Sequence, residues 1–106
     1  MDASEVSEHL FGRRCRLPVF AWVAQNPKDR FFQSEVGLYG SVSRSNANDE
    51  LKRLLALGML REDRPDDNRR VYYDRLDSPL WDIVTSASDT VGLRWADGIV
   101  DLGHLR

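Results

Sequence analysis

At 106 residues the chain is long enough for one hydrophobic core, and a second core is not expected. Its 42% hydrophobic and 30% charged content is ordinary for a globular protein, and no uninterrupted apolar run approaches the roughly 18 residues that a bilayer span needs. The net charge of −2 argues against a non-specific nucleic-acid binder, which carries a strong basic excess, and the single Cys15 excludes an intrachain disulfide.

The charge is unevenly placed. Residues 1–75 hold 13 basic and 12 acidic side chains, whereas residues 76–106 hold 2 and 5. Any binding of a polyanion therefore falls to a local patch in the first part, with the tail facing away. The opening MDASEVSEHL is acidic and lacks an apolar block, so no secretory leader is expected. A lone cysteine fits a reducing compartment, and the cytoplasm is the expected location.

From Glu5 to Gln25 the pattern is helical, with interruptions expected at Gly12 and Pro18. Val6, Leu10 and Phe11 share a face of the first helix. Leu17, Phe20, Ala21 and Ala24, at i, i+3, i+4 and i+7, mark an amphipathic second helix. Pro18 is tolerated within its first turn, and Asn26-Pro27 ends it. Arg30-Phe31-Phe32 reads as a short strand. Ser34 is a candidate cap for a brief helix from Glu35 that Gly40 stops.

Ser43 is the next N-cap, opening a helix to about Leu57, with Gly58 at the position of a left-handed cap. At about 100° per residue, Ala47, Leu51, Leu54 and Leu55 form an inward stripe. Ser45, Asn46, Asp49, Lys52 and Arg53 lie opposite, with Asn48 on the flank. Strands follow at Met59–Asp63 and Arg69–Asp74, around the turn formers Pro65-Asp66-Asp67-Asn68. Val71 and Tyr73 share one strand face, Arg70 and Tyr72 the other. Ser78-Pro79 then predicts a helix start, with Ser78 as cap. Leu80, Val84, Ala87, Val91, Trp95, Ile99 and Leu102 form an apolar stripe on one long helix, or on two broken near Gly92.

A helix with a free polar face, followed at once by an Arg-flanked hairpin, suits the major groove and phosphate backbone of DNA. The order and wording of these segments resemble the ArsR-like and MarR-like winged helix-turn-helix repressors of bacteria. The resemblance rests on Leu10-Phe11-Gly12-Arg13-Arg14-Cys15-Arg16-Leu17, on Ser43-Arg44-Ser45, on Leu51-Lys52-Arg53-Leu54-Leu55-Ala56-Leu57-Gly58-Met59 and on Arg69-Arg70-Val71-Tyr72-Tyr73. It covers about residues 8–77.

The resemblance implies a mainly α fold with a small β-hairpin (α+β). It would be a single winged helix-turn-helix domain over 1–106 with additional N- and C-terminal helices. The recognition helix would span about 43–57, the wing about 59–75 and the dimerisation helix or helices about 78–103. It also implies a sequence-specific DNA-binding transcriptional regulator, a repressor occupying a palindromic operator as a homodimer. DNA-binding positions then fall on Ser43, Arg44, Ser45, Asn46, Asn48, Asp49 and Lys52, with Arg64, Arg69 and Arg70 on the wing. Leu10, Leu80, Trp81, Val84, Val91, Trp95 and Ile99 would form the dimer interface; the alternative is that the C-terminal stripe covers the domain's own core.

Asn can bond adenine through both ends of its amide. Two departures stand out: Asp49 at the centre of the outward face, and Asp66-Asp67 at the wing tip. The Asp49 carboxylate must accept from cytosine or pair with Arg53 at i+4.

The alternative is a winged-helix protein-interaction module without direct DNA reading, because fold does not fix function. A small-molecule effector lodged between tryptophans at the dimer interface is a further reading. Metal sensing, known among ArsR-like relatives, finds no paired ligands here: His9 and His104 stand at opposite ends, and Asp97, Asp101 and His104 lack the spacing. No metal or cofactor is expected. Cys15 lies among Arg13, Arg14 and Arg16, a setting that could lower its pKa, although a half-buried structural thiol is the commoner outcome. No phosphate-cradling glycine loop, Gly-x-Ser-x-Gly elbow or His-Glu-x-x-His is present, so an enzyme is not expected.

Overall fold

A computed structural model describes residues 2–39, 42–65 and 70–93. Along these residues run α1 (Ala3–Phe11), α2 (Arg16–Gln25), β1 (Arg30–Phe32), α3 (Gln33–Tyr39), α4 (Arg44–Ala56), β2 (Leu60–Asp63), β3 (Tyr72–Arg75) and α5 (Leu80–Val91). The three strands form an antiparallel sheet in the order β1-β3-β2. The fold is α+β, and no helix among the described residues is long and apolar enough to cross a membrane.

Asp2 and Glu5 start α1 with a reciprocal capping box. Gly12 ends it at φ 89°, a left-handed conformation that a side chain would strain. Buried Ser7 then fixes the turn that follows. Its hydroxyl donates to the Arg13 carbonyl and accepts from the Leu17 N–H at 2.9 Å, so α1 and the first turn of α2 are tied at one point.

The α2 helix departs from the expected amphipathic pattern. Leu17, Val19, Phe20, Ala21, Trp22 and Val23 are all buried, because α1, α3, α4 and α5 all pack around this one helix. A helix apolar on every side is a central helix. Burying each of its larger side chains contributes about 1.5–3 kcal/mol. The sheet adds Phe31 and Tyr73, whose rings stack at 5.7 Å, and Trp22 meets Phe31 edge-on at 5.4 Å.

Arg75 joins β3 to the C-terminal end of α2. Its guanidinium donates to the carbonyls of Val23 (2.6 Å) and Asn26 (2.8 Å) and to Asp29 (2.9 Å). A cation there also suits the negative end of the helix dipole.

Several sequence expectations are corrected. The α3 helix begins at Gln33, so Ser34 lies inside its first turn, and the backbone N–H of Gln33 bonds the Val71 carbonyl at 3.2 Å. The β3 strand runs Tyr72–Arg75, so Arg70 and Val71 lie outside it. Ser78 accepts from the Leu80 N–H at 3.2 Å, but Pro79 occupies the cap position, so α5 starts one residue late. The α5 helix ends at Val91, where Gly92 turns left-handed at φ 75°, so of the two expected arrangements of the C-terminal stripe the break at Gly92 is the one found.

The largest correction concerns the expected dimer interface. Trp81 and Val84 are buried in the chain's own core by α2, and the Trp81 indole donates to the Leu76 carbonyl at 3.0 Å. Leu80 and Val91 pack partly against the same core. Of the interface residues expected from sequence and described here, Leu10 alone is exposed, at 65%. Trp81 is likewise withdrawn from any effector site between subunits. Trp95 and Ile99, with Leu102, Asp97, Asp101 and His104, lie outside the described residues, as do Gly40, Asp66, Asp67 and Arg69.

Candidate nucleic-acid interface

Ser43 starts α4 as expected: its hydroxyl accepts from the Asn46 N–H at 3.1 Å. Ala47, Leu51 and Leu54 point into the core, while Ser43, Arg44, Ser45, Asp49, Lys52 and Arg53 are exposed. Asn46 and Asn48 are half-buried because both side chains have partners. The Arg13 Nη2 donates to Asn46 Oδ1 at 2.7 Å, and Gln33 bonds Asn48 through their amides.

Inside the same helix lies a group the outward face conceals. Glu50 is 0% exposed, yet it sits among three arginines. Arg16 Nε donates to Oε1 at 2.8 Å, Arg53 Nε approaches Oε1 at 3.5 Å and Arg13 Nη1 lies 2.9 Å from Oε2. The Arg13 contact is an ion pair by distance without hydrogen-bond alignment, so Oε2 has charge compensation but no aligned donor. Arg16 also donates to the Phe11 carbonyl at the end of α1. A buried carboxylate thus clamps α4 to the α1–α2 junction.

Asp49 pairs with Arg13 at 3.3 Å, not with Arg53 as the i+4 spacing predicts; Arg53 turns to Glu50 instead. The Arg13 pKa is raised. Desolvation opposes its charge, but Cys15, Glu50 and Asp49 outweigh that effect. The Cys15 thiol is also pushed up, chiefly by burial and then by Glu50, against the lowering influence of Arg13 and Arg16. The lowering influence of the nearby arginines is thus outweighed by burial.

The sheet presents a second basic feature. On the face opposite Phe31 and Tyr73, the Arg70 guanidinium lies 4.4 Å from the Phe32 ring centroid and that of Arg30 lies 4.6 Å from Tyr72. Phe32 and Tyr72 meet edge-on at 4.9 Å. Beside this ladder is a cavity of about 250 Å³ lined by Phe32, Gln33, Ser34, Arg44, Arg70 and Val71. It brings Arg44 from the first turn of α4 and Arg70 from the hairpin to one concavity.

Among the described residues, further cations of the sheet meet carboxylates nearby. Arg61 pairs with Asp74 at 3.1 Å, Arg30 pairs with Asp63 and with Asp74 at 3.4 Å, and Arg64 pairs with Glu62. The hydrogen bond to Glu62 raises the Arg64 pKa. Arg44 and Lys52 have no ion pair or hydrogen bond among the described residues.

Comparison with known proteins gives no match. No family model, curated protein or solved structure corresponds to the chain.

Glu50 is the functional-site neighbour that sequence reasoning missed. The signal was present: Ala47, Glu50, Leu51 and Leu54 fall at i, i+3, i+4 and i+7, which puts a carboxylate on the buried stripe. Arg13 and Arg16 are its complement, one turn and one helix away in space but more than thirty residues away in sequence.

Proposed function

We propose that the chain is a winged helix-turn-helix DNA-binding regulator. In this reading α3 and α4 are the helix-turn-helix, α4 enters the major groove and the β2–β3 hairpin is the wing beside it. The observation that carries the reading is the cavity shared by Arg44 and Arg70, which unites the start of the reading helix and the turn end of the hairpin on one basic surface. A groove-inserted helix needs flanking cations to hold two phosphate strands, and base-edge contacts alone do not fix its register. Ser45, Asn46, Asn48 and Asp49 would face base edges, with Ser43, Arg44, Lys52 and Arg70 toward phosphates. Location in the cytoplasm and repression by occupying a promoter follow from the resemblance to ArsR-like and MarR-like regulators.

A homodimer belongs to the proposal, with its contact kept at Leu10 and moved on α5 from the expected residues to Ile83. Leu10 and Ile83, 65% and 57% exposed, line an apolar groove with Phe11 and Ala87 between α1 and α5. A two-fold pairing there would supply two reading helices for half-sites about 10 bp apart. Selection of bound fragments from random duplexes, followed by titration at several salt concentrations, tests the function. The expected result is a palindromic site whose affinity falls steeply with salt. Absence of duplex affinity would overturn it in favour of a protein-interaction module.

A further inference from the structure

The outward face of α4 is not a set of free side chains. Arg13 reaches it from the turn between α1 and α2, with its guanidinium anchored from behind by the buried Glu50 carboxylate at 2.9 Å. From that anchorage it contacts Asn46 at 2.7 Å and Asp49 at 3.3 Å, one helical turn apart. A guanidinium only donates, so the Asn46 atom facing it is the carbonyl oxygen whichever way the amide is drawn. The amide nitrogen, with both its N–H groups, is left for an outside partner.

We infer that Arg13 is a specificity-determining residue that fixes Asn46 as a hydrogen-bond donor and directs the centre of α4 to a G·C base pair. This rests on the DNA-reading function proposed above. The usual Asn–adenine pairing needs the amide oxygen to accept from adenine N6 while the nitrogen donates to N7. Here that oxygen already accepts from a cation, and the same cation repels the partly positive N6 amino group. Guanine instead offers two acceptors, O6 and N7, to the nitrogen and to the positive field around it. Asp49, 49% exposed, keeps one carboxylate oxygen outside its Arg13 contact, and that oxygen suits the N4 amino group of cytosine. The feature that looked least suited to DNA, a carboxylate at the centre of the reading face, becomes half of a matched set.

The test is selection from duplexes randomised across both half-sites, using wild type, Asn46→Ala and Arg13→Gln, with each variant's folding checked by thermal unfolding. The base pair whose preference disappears in Asn46→Ala identifies the position read. Wild type is expected to favour guanine over adenine there by about 5-fold or more. Arg13→Gln is expected to bring that ratio toward one while preferences elsewhere persist; a merely structural role would weaken all sequences alike. Adenine preferred at that position in wild type, no preference erased by Asn46→Ala, or an unchanged ratio in folded Arg13→Gln overturns the inference and leaves DNA reading intact. If Arg13→Gln does not fold, the wild-type and Asn46→Ala selections decide alone. Failure of wild type to select any sequence overturns the DNA-reading function, and this inference with it.

Discussion

The α4 helix and the β2–β3 hairpin are both rich in charge, but they use it in opposite ways. On the hairpin, Arg61 and Arg64 each meet a carboxylate on a strand, as does Arg30 from β1. On α4, Arg44 and Lys52 have no ion pair or hydrogen bond among the described residues, while the helix's own acidic pair, Asp49 and Glu50, is compensated chiefly by Arg13 and Arg16 from outside it. A count of basic residues would rate the hairpin as the stronger polyanion site. Pairing reverses the order, since a cation already holding a carboxylate releases little counterion when it meets phosphate.

The sharpest way to break this comparison is at Glu50. Replacing it with Ala strands Arg13, Arg16 and Arg53 around an apolar gap, and a buried pair broken on one side costs about 3–5 kcal/mol. Urea unfolding should lose stability on that scale, with Glu50→Gln, which keeps the shape and one acceptor, losing less. A loss below about 1 kcal/mol would mean that the clamp does not hold α4.

Next in size is the contrast between the two arginines that line the shared concavity and those of the hairpin ion pairs. Arg44→Ala and Arg70→Ala should each weaken binding to every duplex about equally and lower the salt slope by about one. Arg61→Ala and Arg64→Ala should leave that slope nearly unchanged, as titrations over a range of salt would record. Equal effects from all four would erase the distinction drawn here.

In the groove of the proposed dimer contact, Ile83→Glu should convert that dimer to monomer in light scattering without loss of helix content. The smallest effect is in alkali. The Cys15 and Tyr73 pKa values are both raised in the fold, chiefly by burial. The unfolded chain therefore loses these protons first, and stability should decline as pH rises through the ordinary thiol and phenol ranges. Cys15→Ser should remove the earlier part of that decline in pH-dependent melting.

Much of the fold was legible because it is written in local chemistry. Ser43 caps α4, Asn26-Pro27 closes α2, Gly12 and Gly92 interrupt helices, and β1 falls at Arg30–Phe32. What was not legible depends on long-range packing. Periodicity showed that α2 has an apolar stripe, but only tertiary contacts reveal that its other sides are covered too. The same covering explains Trp81 and Val84: an apolar stripe on a terminal helix fits a partner chain and the parent core equally well, and α2 claims it here. Asp49 was assigned Arg53 by sequence spacing, whereas Arg53 follows the stronger demand of a carboxylate with no access to water. Arg13 became visible as part of the candidate site only when the turn at Gly12 set it over Asn46.

Arg75 has a wider consequence for the hairpin. Because that side chain grips the last carbonyls of α2, the strands leave the body at an angle decided at their root. Changes of length or composition at the turn end then leave the seating of the sheet on the central helix undisturbed. On the DNA-reading function proposed above, such changes would retune the hairpin's reach along a duplex while the body keeps its shape.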